Sequence, residues 1–426
     1  MYKKSKKNIL SVWSFVQIEF FRYRYRKIIA NIKLQNACSG TTKINVFFVF
    51  TQSELWGLQS LYSTLSRSTC FNPSVVVMPN FEDRVSHPEK NYHRNLKNFT
   101  ELGLSVTAGT DENGRVLSFR ELSNNQPCIV FFDQPHPNLP KSWKFSLVSK
   151  VALICYVPYG FKVANDYQGH FNQKLHNISW RIFCETSWHF QQFRKFGKAR
   201  ALNVVVSGYP KFDSVQIACD DKRYFGEKVN QISDRKILIW APHWSVLDSY
   251  LGYSTFDKYY DYFLRRRDSD SDVFWVFRPH QRLRYQLVET GFMSEVEVDN
   301  YYESWRDSPN SIFSEGSDYL GLFMCSDALI TDSGSFLAEY LISRKPVLVL
   351  KSAKSVGYNE FGKQIFDSYY HAESVNEIEQ FINKTLTAGF DFKASDRLQV
   401  LELTRPHKNQ SPTEIIYQEL CRILKT

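Results

Sequence analysis

Short apolar runs alternate with helix-like segments along the chain from Lys43 onwards. The runs are continuously apolar, which is typical of strands buried on both faces of a parallel sheet. Strands are predicted within 43–50, 74–79, 127–140, 149–161, 180–197 and 201–210, and again within 236–245, 272–283 and 326–350. Helices are predicted at 54–67, 92–104, 257–267, 374–386 and 412–424. The alternation indicates an α/β fold whose sheets carry helices on both faces.

A polar stretch at 216–234 interrupts this alternation, and the pattern then restarts. A chain of 426 residues is longer than a single hydrophobic core usually supports. We therefore predict two Rossmann-like domains facing across a cleft, at 41–215 and 216–426, preceded by an N-terminal arm at 1–40. In sheets of this kind ligands bind beyond the carboxyl ends of the strands, so every junction between a strand and the next loop is a candidate site.

The N-terminal arm is strongly basic. It holds nine Lys and Arg against one acid, Glu19, and so carries +8 of the chain's net charge of +9. Apolar residues recur at helical spacing at Ile9, Val12, Trp13, Val16, Phe20 and Tyr23, and Phe15, Ile18 and Phe21 widen the stripe. A basic amphipathic helix with an aromatic stripe favours binding to an anionic membrane surface. Packing of the helix on the next domain is the alternative, and nucleic-acid binding is disfavoured because a second basic patch is missing from the sequence.

Composition excludes several classes of protein. A hydrophobic content of 43% excludes a disordered chain. The eight cysteines form no CxxC pair and no metal-ligand spacing, so we expect reduced, buried thiols and no metal site. No apolar run reaches the roughly 18–20 residues of a spanning helix, and no signal peptide is evident. The absence of a Walker lysine motif and of GxGxxG disfavours an ATPase or a dehydrogenase.

Five junctions between a predicted strand and its loop carry unusual polar chemistry. They are Asp133-Gln134-Pro135-His136, Pro158-Tyr159-Gly160, Pro242-His243-Trp244, Arg278-Pro279-His280 and Asp332-Ser333-Gly334-Ser335. A single histidine after a strand is usually an ordinary loop residue. Three histidines at equivalent strand ends are a stronger signal, because sheet geometry makes such positions converge.

The Asp-Ser-Gly-Ser segment at 332–335 opens a predicted helix. Ser or Asp at this point is a common cap for the free N–H groups of the first turn. The same N–H groups and the helix dipole attract a phosphate, and Gly334 lets a phosphate approach the backbone. Glu339, one turn further on, is suited to accept hydrogen bonds from ribose hydroxyls. Arg278 and His280 are suited to neutralise a diphosphate.

An ordered series of sequence blocks resembles a known family. The blocks are CYVPYGF (155–161), FCETSWHFQQF (183–193), VSGYPKFD (206–213), IWAPHWS (239–245), VFRPH (276–280), the segment 309–341 and KPVLVL (345–350). In this order they resemble the CDP-glycerol glycerophosphotransferase-like proteins, which build teichoic-acid-type and capsular phosphopolymers. The similarity runs from about residue 43 to about residue 390.

The resemblance implies a GT-B fold with a nucleotide-activated donor in the C-terminal domain and an acceptor in the N-terminal domain. Carried over to this chain, it places the donor's diphosphate at Asp332, Ser333, Gly334 and Ser335, with Arg278 and His280 beside the phosphates. It also places Glu339 on the ribose and His243 on the lower wall of the cleft.

One block departs from the family pattern. The better-known polymerases have Trp-His-Gly where this chain has Pro158-Tyr159-Gly160, and their histidine is the proposed base. Tyrosine is a poor base at neutral pH because its unperturbed pKa is about 10. His136, on the neighbouring loop, is the substitute that we predict, with Tyr159 as the alternative.

The residues and the resemblance together predict a transferase. It would move a polyol phosphate, most simply glycerol phosphate from CDP-glycerol, onto a hydroxyl of a membrane-associated glycan or polyol-phosphate acceptor. The CDP-linked donor is a substrate, and no cofactor is expected. A GT-B glycosyltransferase using a nucleotide sugar is one alternative, and a non-catalytic nucleotide-binding scaffold at the membrane is another. The expected location is peripheral, on the cytoplasmic face of the cell membrane.

Overall fold

The apolar runs predicted as strands pair into two parallel sheets. The computed structural model describes residues 2–39, 43–80, 88–135, 139–215, 222–232, 234–247, 250–316 and 319–424. The chain divides into two units: the first comprises Met1–Gly160, Tyr167–Ser214 and Arg405–Thr426, and the second comprises Phe161–Asp166 and Val215–Thr404. Each unit contains one sheet with helices around it, so the predicted α/β fold with two Rossmann-like parts is confirmed.

The first unit is built on a seven-stranded parallel sheet. Its strands are β1 (Ile44–Phe50), β2 (Phe71–Val77), β3 (Val106–Ala108), β4 (Cys128–Phe132), β5 (Ala152–Tyr156), β6 (Arg181–Cys184) and β7 (Val204–Val206), in the order β3-β2-β1-β4-β5-β6-β7. Its helices are α1 (Tyr2–Ser39), α2 (Gln59–Arg67), α3 (Pro88–Glu101), α4 (Phe119–Leu122), α5 (Phe145–Val148), α6 (Tyr167–Phe171), α7 (Lys174–Ile178), α8 (Ser187–Phe196) and α17 (Pro412–Cys421). The strands β4 and β5 are buried at every position, which is why their sequences are continuously apolar.

The second unit is built on a six-stranded parallel sheet. Its strands are β8 (Lys236–Ala241), β9 (Val273–Phe277), β10 (Ser311–Phe313), β11 (Ala328–Thr331), β12 (Val347–Leu350) and β13 (Tyr370–Ala372), in the order β10-β9-β8-β11-β12-β13. Its helices are α9 (Phe256–Ser269), α10 (Leu283–Glu289), α11 (Glu295–Asp307), α12 (Leu320–Cys325), α13 (Gly334–Tyr340), α14 (Glu360–Asp367), α15 (Val375–Gln380) and α16 (Ala394–Leu403), and α15 continues as a π-helical segment over Phe381–Thr387.

The strand order reverses once in each sheet. In the first unit β1 lies between β2 and β4, and in the second unit β8 lies between β9 and β11. At such a reversal the loops leave the sheet in opposite directions, which opens a crevice at the carboxyl ends of the strands. The two crevices are therefore the positions where the fold itself favours a ligand.

The C-terminal segment belongs to the first unit, whereas the sequence analysis had assigned all of 216–426 to the second domain. Helix α17 packs against α2, and its residues Ile416, Leu420 and Ile423 are part of the first unit's hydrophobic core. An ion pair adds to this packing, because the Arg181 Nε lies 2.6 Å from the Glu419 Oε1. The helix was predicted correctly, but its apolar face did not reveal which sheet it would cover.

A short segment after β5 belongs to the second unit, and this exchange was also missed by the sequence analysis. Phe161 stacks on Phe361 of α14 with ring centroids 5.9 Å apart. The Asn359 side chain donates hydrogen bonds to the backbone oxygens of Lys162, at 2.9 Å, and Ala164, at 3.2 Å. These contacts hold the segment against the start of α14.

Helix α1 packs on the first unit along one face. Phe21, Tyr25, Ile28 and Ile32 are buried in the core of that unit, and the Tyr25 hydroxyl donates to the Ile178 oxygen at 2.7 Å. Over these residues α1 is therefore part of the first unit and not a separate arm. For this face of the helix, the alternative prediction of packing on the next domain is correct. Of the predicted stripe, Ile9, Val12, Trp13 and Phe15 lie outside the residues whose side chains are described.

The opposite face of α1 is exposed. Val16, Phe20 and Tyr23 are 56%, 50% and 54% exposed, and Arg26 and Lys27 are exposed beside them. The Lys27 ammonium lies 4.7 Å from the centre of the Tyr23 ring. Among the described residues, no helix combines the length and the apolar character that crossing a bilayer requires.

Candidate functional site

Strand register brings three of the predicted loops side by side in the second unit. Trp240 of β8 pairs with Phe277 of β9, and Ala241 of β8 pairs with Thr331 of β11. The pairing continues into the loops, because the His280 N–H donates to the Pro242 oxygen at 3.0 Å. The loops that begin at 242, 278 and 332 therefore meet at the carboxyl edge of β8, where the strand order reverses.

Asp332 fixes two of the neighbouring segments. Its Oδ1 accepts the backbone N–H of His243 at 2.5 Å, and its Oδ2 accepts the N–H and the hydroxyl of Thr255 at 2.6 and 2.9 Å. The side chain is 1% exposed, and burial raises the pKa of its carboxyl to about 6, although the hydrogen bonds from Thr255 and His243 oppose that rise. Both oxygens are thus occupied by donors from the protein, which leaves the carboxylate to hold the loops.

His243 is buried beside a serine. Its Nδ1 lies 2.8 Å from the Ser245 Oγ, and the Ser245 N–H is directed at the same nitrogen at 3.3 Å. Burial, assisted by the positive charge of Arg282, lowers the pKa of His243 to about 3. The imidazole is therefore neutral at physiological pH in the unliganded protein.

His280 lies next to His243, with ring centroids 5.5 Å apart. The Arg282 N–H donates to the His280 Nδ1 at 3.2 Å. Burial lowers the pKa of His280 well below its usual value, and the nearby His243, Arg282 and Arg278 lower it further. The Arg282 guanidinium itself lies over the Trp244 ring at 4.1 Å. The structure thus places two neutral histidines side by side, at strand ends that were expected to converge.

Arg278, Tyr319 and Glu339 form a connected group. The Arg278 guanidinium donates to the Ser314 Oγ at 2.9 Å and to the Gly316 oxygen at 2.5 Å, and it lies 4.6 Å from the centre of the Tyr319 ring. The Tyr319 hydroxyl donates to the Glu339 Oε2. Arg278 and Glu339 are both buried, so each has a structural role beside the one predicted for it at a nucleotide.

The segment 333–335 starts helix α13 as predicted. Ser333 occupies the N-cap, yet its side chain accepts no N–H group from the first turn. Its own N–H donates to the Thr331 Oγ1 at 3.0 Å. A Cβ built on Gly334 would meet the Val163 Cγ2 at 3.4 Å, which is ordinary contact. Ser335 is half-buried. The capping alternative for the Ser333 hydroxyl is thus not realised in the unliganded chain.

The residues predicted for the first unit are less completely placed. His136 lies outside the described residues. Tyr159 is 43% exposed, and its backbone oxygen accepts the Tyr209 hydroxyl at 3.0 Å. Asp133 directly follows β4, and its Oδ2 accepts the N–H and the hydroxyl of Thr51, both at 2.8 Å. Burial raises the pKa of Asp133 to about 6.

Four residues with a part in the site were not predicted from the sequence, namely Ser245, Thr255, Tyr319 and Thr331. Ser245 stands two positions after His243, which is the one signal that was available. Thr255 and Tyr319 reach the site from elements distant in sequence, so only the fold reveals them. Within the described part of the chain, no group of three or more His, Cys, Asp or Glu side chains is arranged to hold a metal ion.

Comparison with protein families gives a match over residues 176–370, to CDP-Glycerol:Poly(glycerophosphate) glycerophosphotransferase. A teichoic acid poly(glycerol phosphate) polymerase of Staphylococcus epidermidis is 27% identical over 145 residues. That match covers 33% of this chain and only 18% of the polymerase's own length. These findings support the CDP-glycerol glycerophosphotransferase-like family that the sequence blocks predicted.

Solved structures share the fold. A variant of the wall teichoic acid polymerase TagF superposes with a TM-score of 0.53 at 14% identity, covering 100% of both chains. A putative UDP-N-acetylglucosamine 2-epimerase from Listeria monocytogenes gives a TM-score of 0.57 at 14% identity, covering 89% of this chain and 96% of the epimerase. The S. aureus MnaA-UDP co-structure gives 0.55 at 15% identity, with 89% and 97% coverage. The likeness is one of fold, and it agrees with the predicted GT-B class.

Proposed function

We propose that this protein transfers glycerol phosphate from CDP-glycerol to a hydroxyl group of a growing teichoic-acid-type or related cell-surface polymer. The acceptor oxygen would attack the phosphorus that bears glycerol, the bond to the second phosphate would break, and CMP would leave. A base would take the proton of the acceptor hydroxyl. The observation that carries the proposal is the family match, because residues 176–370 contain every residue of the second-unit site.

The geometry of the second unit suits the donor half of this reaction. Two neutral histidines, His243 and His280, lie beside the start of α13, and the Ser333 hydroxyl is not used as a cap. N–H donors of this kind stabilise a diphosphate and the charge that develops on a leaving nucleotide. Glu339 is our proposed ribose partner. Asp332, whose oxygens both accept hydrogen bonds from the protein, would position the loops around the diphosphate that the family resemblance places beside it.

The acceptor half of the reaction is assigned to the first unit. We propose His136 as the general base, with Tyr159 as the alternative. Tyr159 is exposed enough to meet a substrate. Asp133 is a buried carboxylate that already accepts two hydrogen bonds from Thr51, which makes it a less suitable base.

We further propose that the protein binds peripherally to an anionic membrane, on the cytoplasmic face where the acceptor is held. The support is the exposed face of α1, which presents Phe20 and Tyr23 next to Arg26 and Lys27. Aromatic side chains suit the interface of a bilayer, and each cation near an anionic surface adds about 1 kcal/mol.

The test is a donor panel with product identification. The full-length protein is incubated with CDP-glycerol, CDP-ribitol and several nucleotide sugars, together with a lipid-linked polyol-phosphate acceptor. Release of CMP with CDP-glycerol, and its loss in His280→Ala and Ser333→Ala variants that keep the native circular dichroism, is the expected result. Release of a nucleoside diphosphate from a nucleotide sugar would show a glycosyltransferase instead. Nucleotide binding without turnover of any donor would show a non-catalytic scaffold.

A further inference from the structure

The Ser245 hydroxyl lies at the centre of the loop that follows β8. It is buried, and its oxygen accepts the N–H groups of Tyr253 at 3.0 Å and Ser254 at 3.1 Å. A hydroxyl oxygen has two lone pairs, and these two N–H groups use both of them. The Ser245 O–H must therefore be donated elsewhere, and the acceptor within reach is the His243 Nδ1, at 2.8 Å.

This arrangement fixes the position of the proton on His243. Its Nδ1 receives the Ser245 hydroxyl, and the Ser245 N–H is directed at it as well. A ring nitrogen that accepts hydrogen bonds carries no proton, so a neutral ring must carry its proton on Nε2. In the described part of the chain, Nε2 makes no hydrogen bond, which leaves its N–H for a ligand.

We propose that Ser245 is a positioning residue that holds His243 as the neutral Nε2–H tautomer, so that His243 serves the donor's diphosphate as a hydrogen-bond donor and not as an acid or a base. This inference rests on the proposed function for the identity of the ligand. The tautomer itself follows from the hydrogen bonds of the unliganded chain.

The surrounding charges agree with a neutral ring. A carboxylate on Nδ1 would stabilise an imidazolium, as it does in hydrolytic triads, but here the partner is an uncharged hydroxyl. The titratable and charged groups around His243 are His280, itself neutral, the phenol of Tyr253, whose ring centroid lies 5.6 Å from that of His243, the cation of Arg282, and the carboxylate of Asp332 at its backbone. The carboxylate is already bound to the backbone N–H of His243 and to Thr255. Burial and Arg282 keep the pKa of His243 near 3.

The His280 Nδ1 also accepts a hydrogen bond, from the backbone N–H of Arg282 at 3.2 Å. Among the residues that the structure describes, neither Nε2 has a hydrogen-bond partner, so two Nε2–H groups on neighbouring rings are available to a ligand. Such a pair is suited to two oxygens of one anionic diphosphate, because each neutral donor binds an oxygen in a fixed direction.

The decisive test observes the proton directly. The full-length chain, labelled with ¹⁵N-histidine, is studied by two-bond ¹H–¹⁵N correlation, and His243→Gln assigns the His243 signals. We expect a protonated Nε2 and a bare Nδ1 that stay unchanged between pH 8 and pH 5.5. A proton on Nδ1, or an imidazolium that forms in this range, would overturn the inference. Because no substrate is present, the result is independent of the proposed function.

Activity measurements test the role of the tautomer. His243→Gln keeps an N–H donor close to the position of Nε2, whereas His243→Ala removes it. We expect kcat/KM for CDP-glycerol to be at least about tenfold higher in the Gln variant than in the Ala variant, which is the effect of roughly one hydrogen bond. Equal loss in both variants would show that the ring acts as an acid or a base, contrary to the inference.

Ser245→Ala completes the design, with Ser254→Ala as its control. Ser245→Ala frees Nδ1, so we expect a mixture of tautomers in the ¹⁵N spectrum and a lower kcat. Ser254→Ala removes only a hydroxyl that accepts the Phe256 N–H, and it leaves the bond from the Ser254 backbone to Ser245. An unchanged tautomer in folded Ser245→Ala protein would contradict the role of Ser245. If the native chain transfers nothing from CDP-glycerol, the proposed function fails, while the spectrum still decides the tautomer.

Discussion

The Asp332 carboxylate accepts the backbone N–H of His243 at 2.5 Å, and this bond joins the loop after β11 to the loop after β8. The first unit has a corresponding bond, because Asp133 after β4 accepts the N–H of Thr51 after β1 at 2.8 Å. Both aspartates stand where the strand order of their sheet reverses. In each unit, one carboxylate thus links the two loops on either side of the reversal.

Replacement of Asp332 by Asn should be costly. Both oxygens of Asp332 accept N–H groups, so an amide must point its NH₂ at either His243 or Thr255. A buried donor left unsatisfied costs about 1–3 kcal/mol, and we expect the free energy of unfolding to fall by that amount. Urea unfolding of the full chain measures the change.

Asp133→Asn is the matched control for this substitution. The Asp133 Oδ2 accepts both donors from Thr51, while its Oδ1 is buried without a hydrogen-bond partner in the described structure. An amide nitrogen in the place of Oδ1 breaks no existing hydrogen bond, and the substitution removes a carboxylate whose charge is disfavoured by burial, which offsets the cost of the buried NH₂. A cost for Asp133→Asn as large as that for Asp332→Asn would refute this account of the two sites.

The stability of the protein should depend on pH through Asp133. Its pKa is about 6 in the folded chain against an ordinary 3.8, so the folded state binds more protons between these values. Stability from this group is therefore complete below about pH 4 and is lost as the pH rises through 6. Between pH 4.5 and pH 7, the free energy of unfolding of the native chain should fall by on the order of 1–3 kcal/mol more than that of Asp133→Asn. Unfolding curves at the two pH values provide the measurement, and parallel pH dependence in both proteins would contradict it.

Two glycines that face Val163 should respond differently to alanine. A Cβ on Gly362 would lie 2.4 Å from the Val163 oxygen, closer than any real contact, whereas a Cβ on Gly334 would meet only the Val163 methyl at 3.4 Å. We expect Gly362→Ala to lower the melting temperature by several degrees and Gly334→Ala to leave it unchanged.

The same pair tests the phosphate role that we propose for Gly334. Gly334→Ala should raise the KM for CDP-glycerol several-fold, because the added methyl group would hinder a phosphate at the backbone. A folded Gly334→Ala protein with native KM would show that no phosphate comes close to this residue.

Two neighbouring phenylalanines on α1 should separate membrane binding from stability. Phe20 is exposed and Phe21 is buried in the core of the first unit. Phe21→Ala should reduce the free energy of unfolding by about 3–5 kcal/mol, as expected for a core phenylalanine. Phe20→Ala should leave stability unchanged and weaken sedimentation with phosphatidylglycerol vesicles.

Leu202→Glu, which changes another exposed apolar residue of the first unit, is the control for vesicle binding. Its binding should equal that of the native chain. If the double variant Phe20→Ala, Tyr23→Ala binds vesicles as well as the native chain does, this face of α1 is not the membrane contact.

The strands and the converging loops could be predicted because local pattern decides them. The run before Asp133 is apolar at every position since β4 is covered on both faces, and parallel pairing then brings His243 and His280 to the same edge. The family blocks carried the same information. The contact between the His243 and His280 rings depends on which strands are neighbours and on their register. The pattern of helices and strands along the sequence does not contain the strand order.

The incorrect predictions concern helices, and specifically which part of the protein the apolar face of a helix packs against. Helix α17 was predicted as a helix, but a stripe such as Ile416 and Leu420 looks the same whichever sheet it packs against. Likewise, α1 has two apolar faces, and the sequence pattern could not tell the buried Phe21 from the exposed Phe20. The hydrogen bonds of Asp332 could not be predicted from the sequence, because their donors, His243 and Thr255, lie 89 and 77 residues away.

The path of the chain between the units has a mechanical consequence. The chain passes from one unit to the other after residues 160, 166, 214 and 404, so the second unit is an insertion within the first. Cutting any one of these connections leaves three covalent links, and the two halves of the protein would stay together after a single proteolytic nick. Expression of residues 215–404 alone would also omit Phe161 and the backbone that Asn359 binds. The second unit is thus a discontinuous domain, whose natural boundaries are the four crossings and not any one point in the sequence.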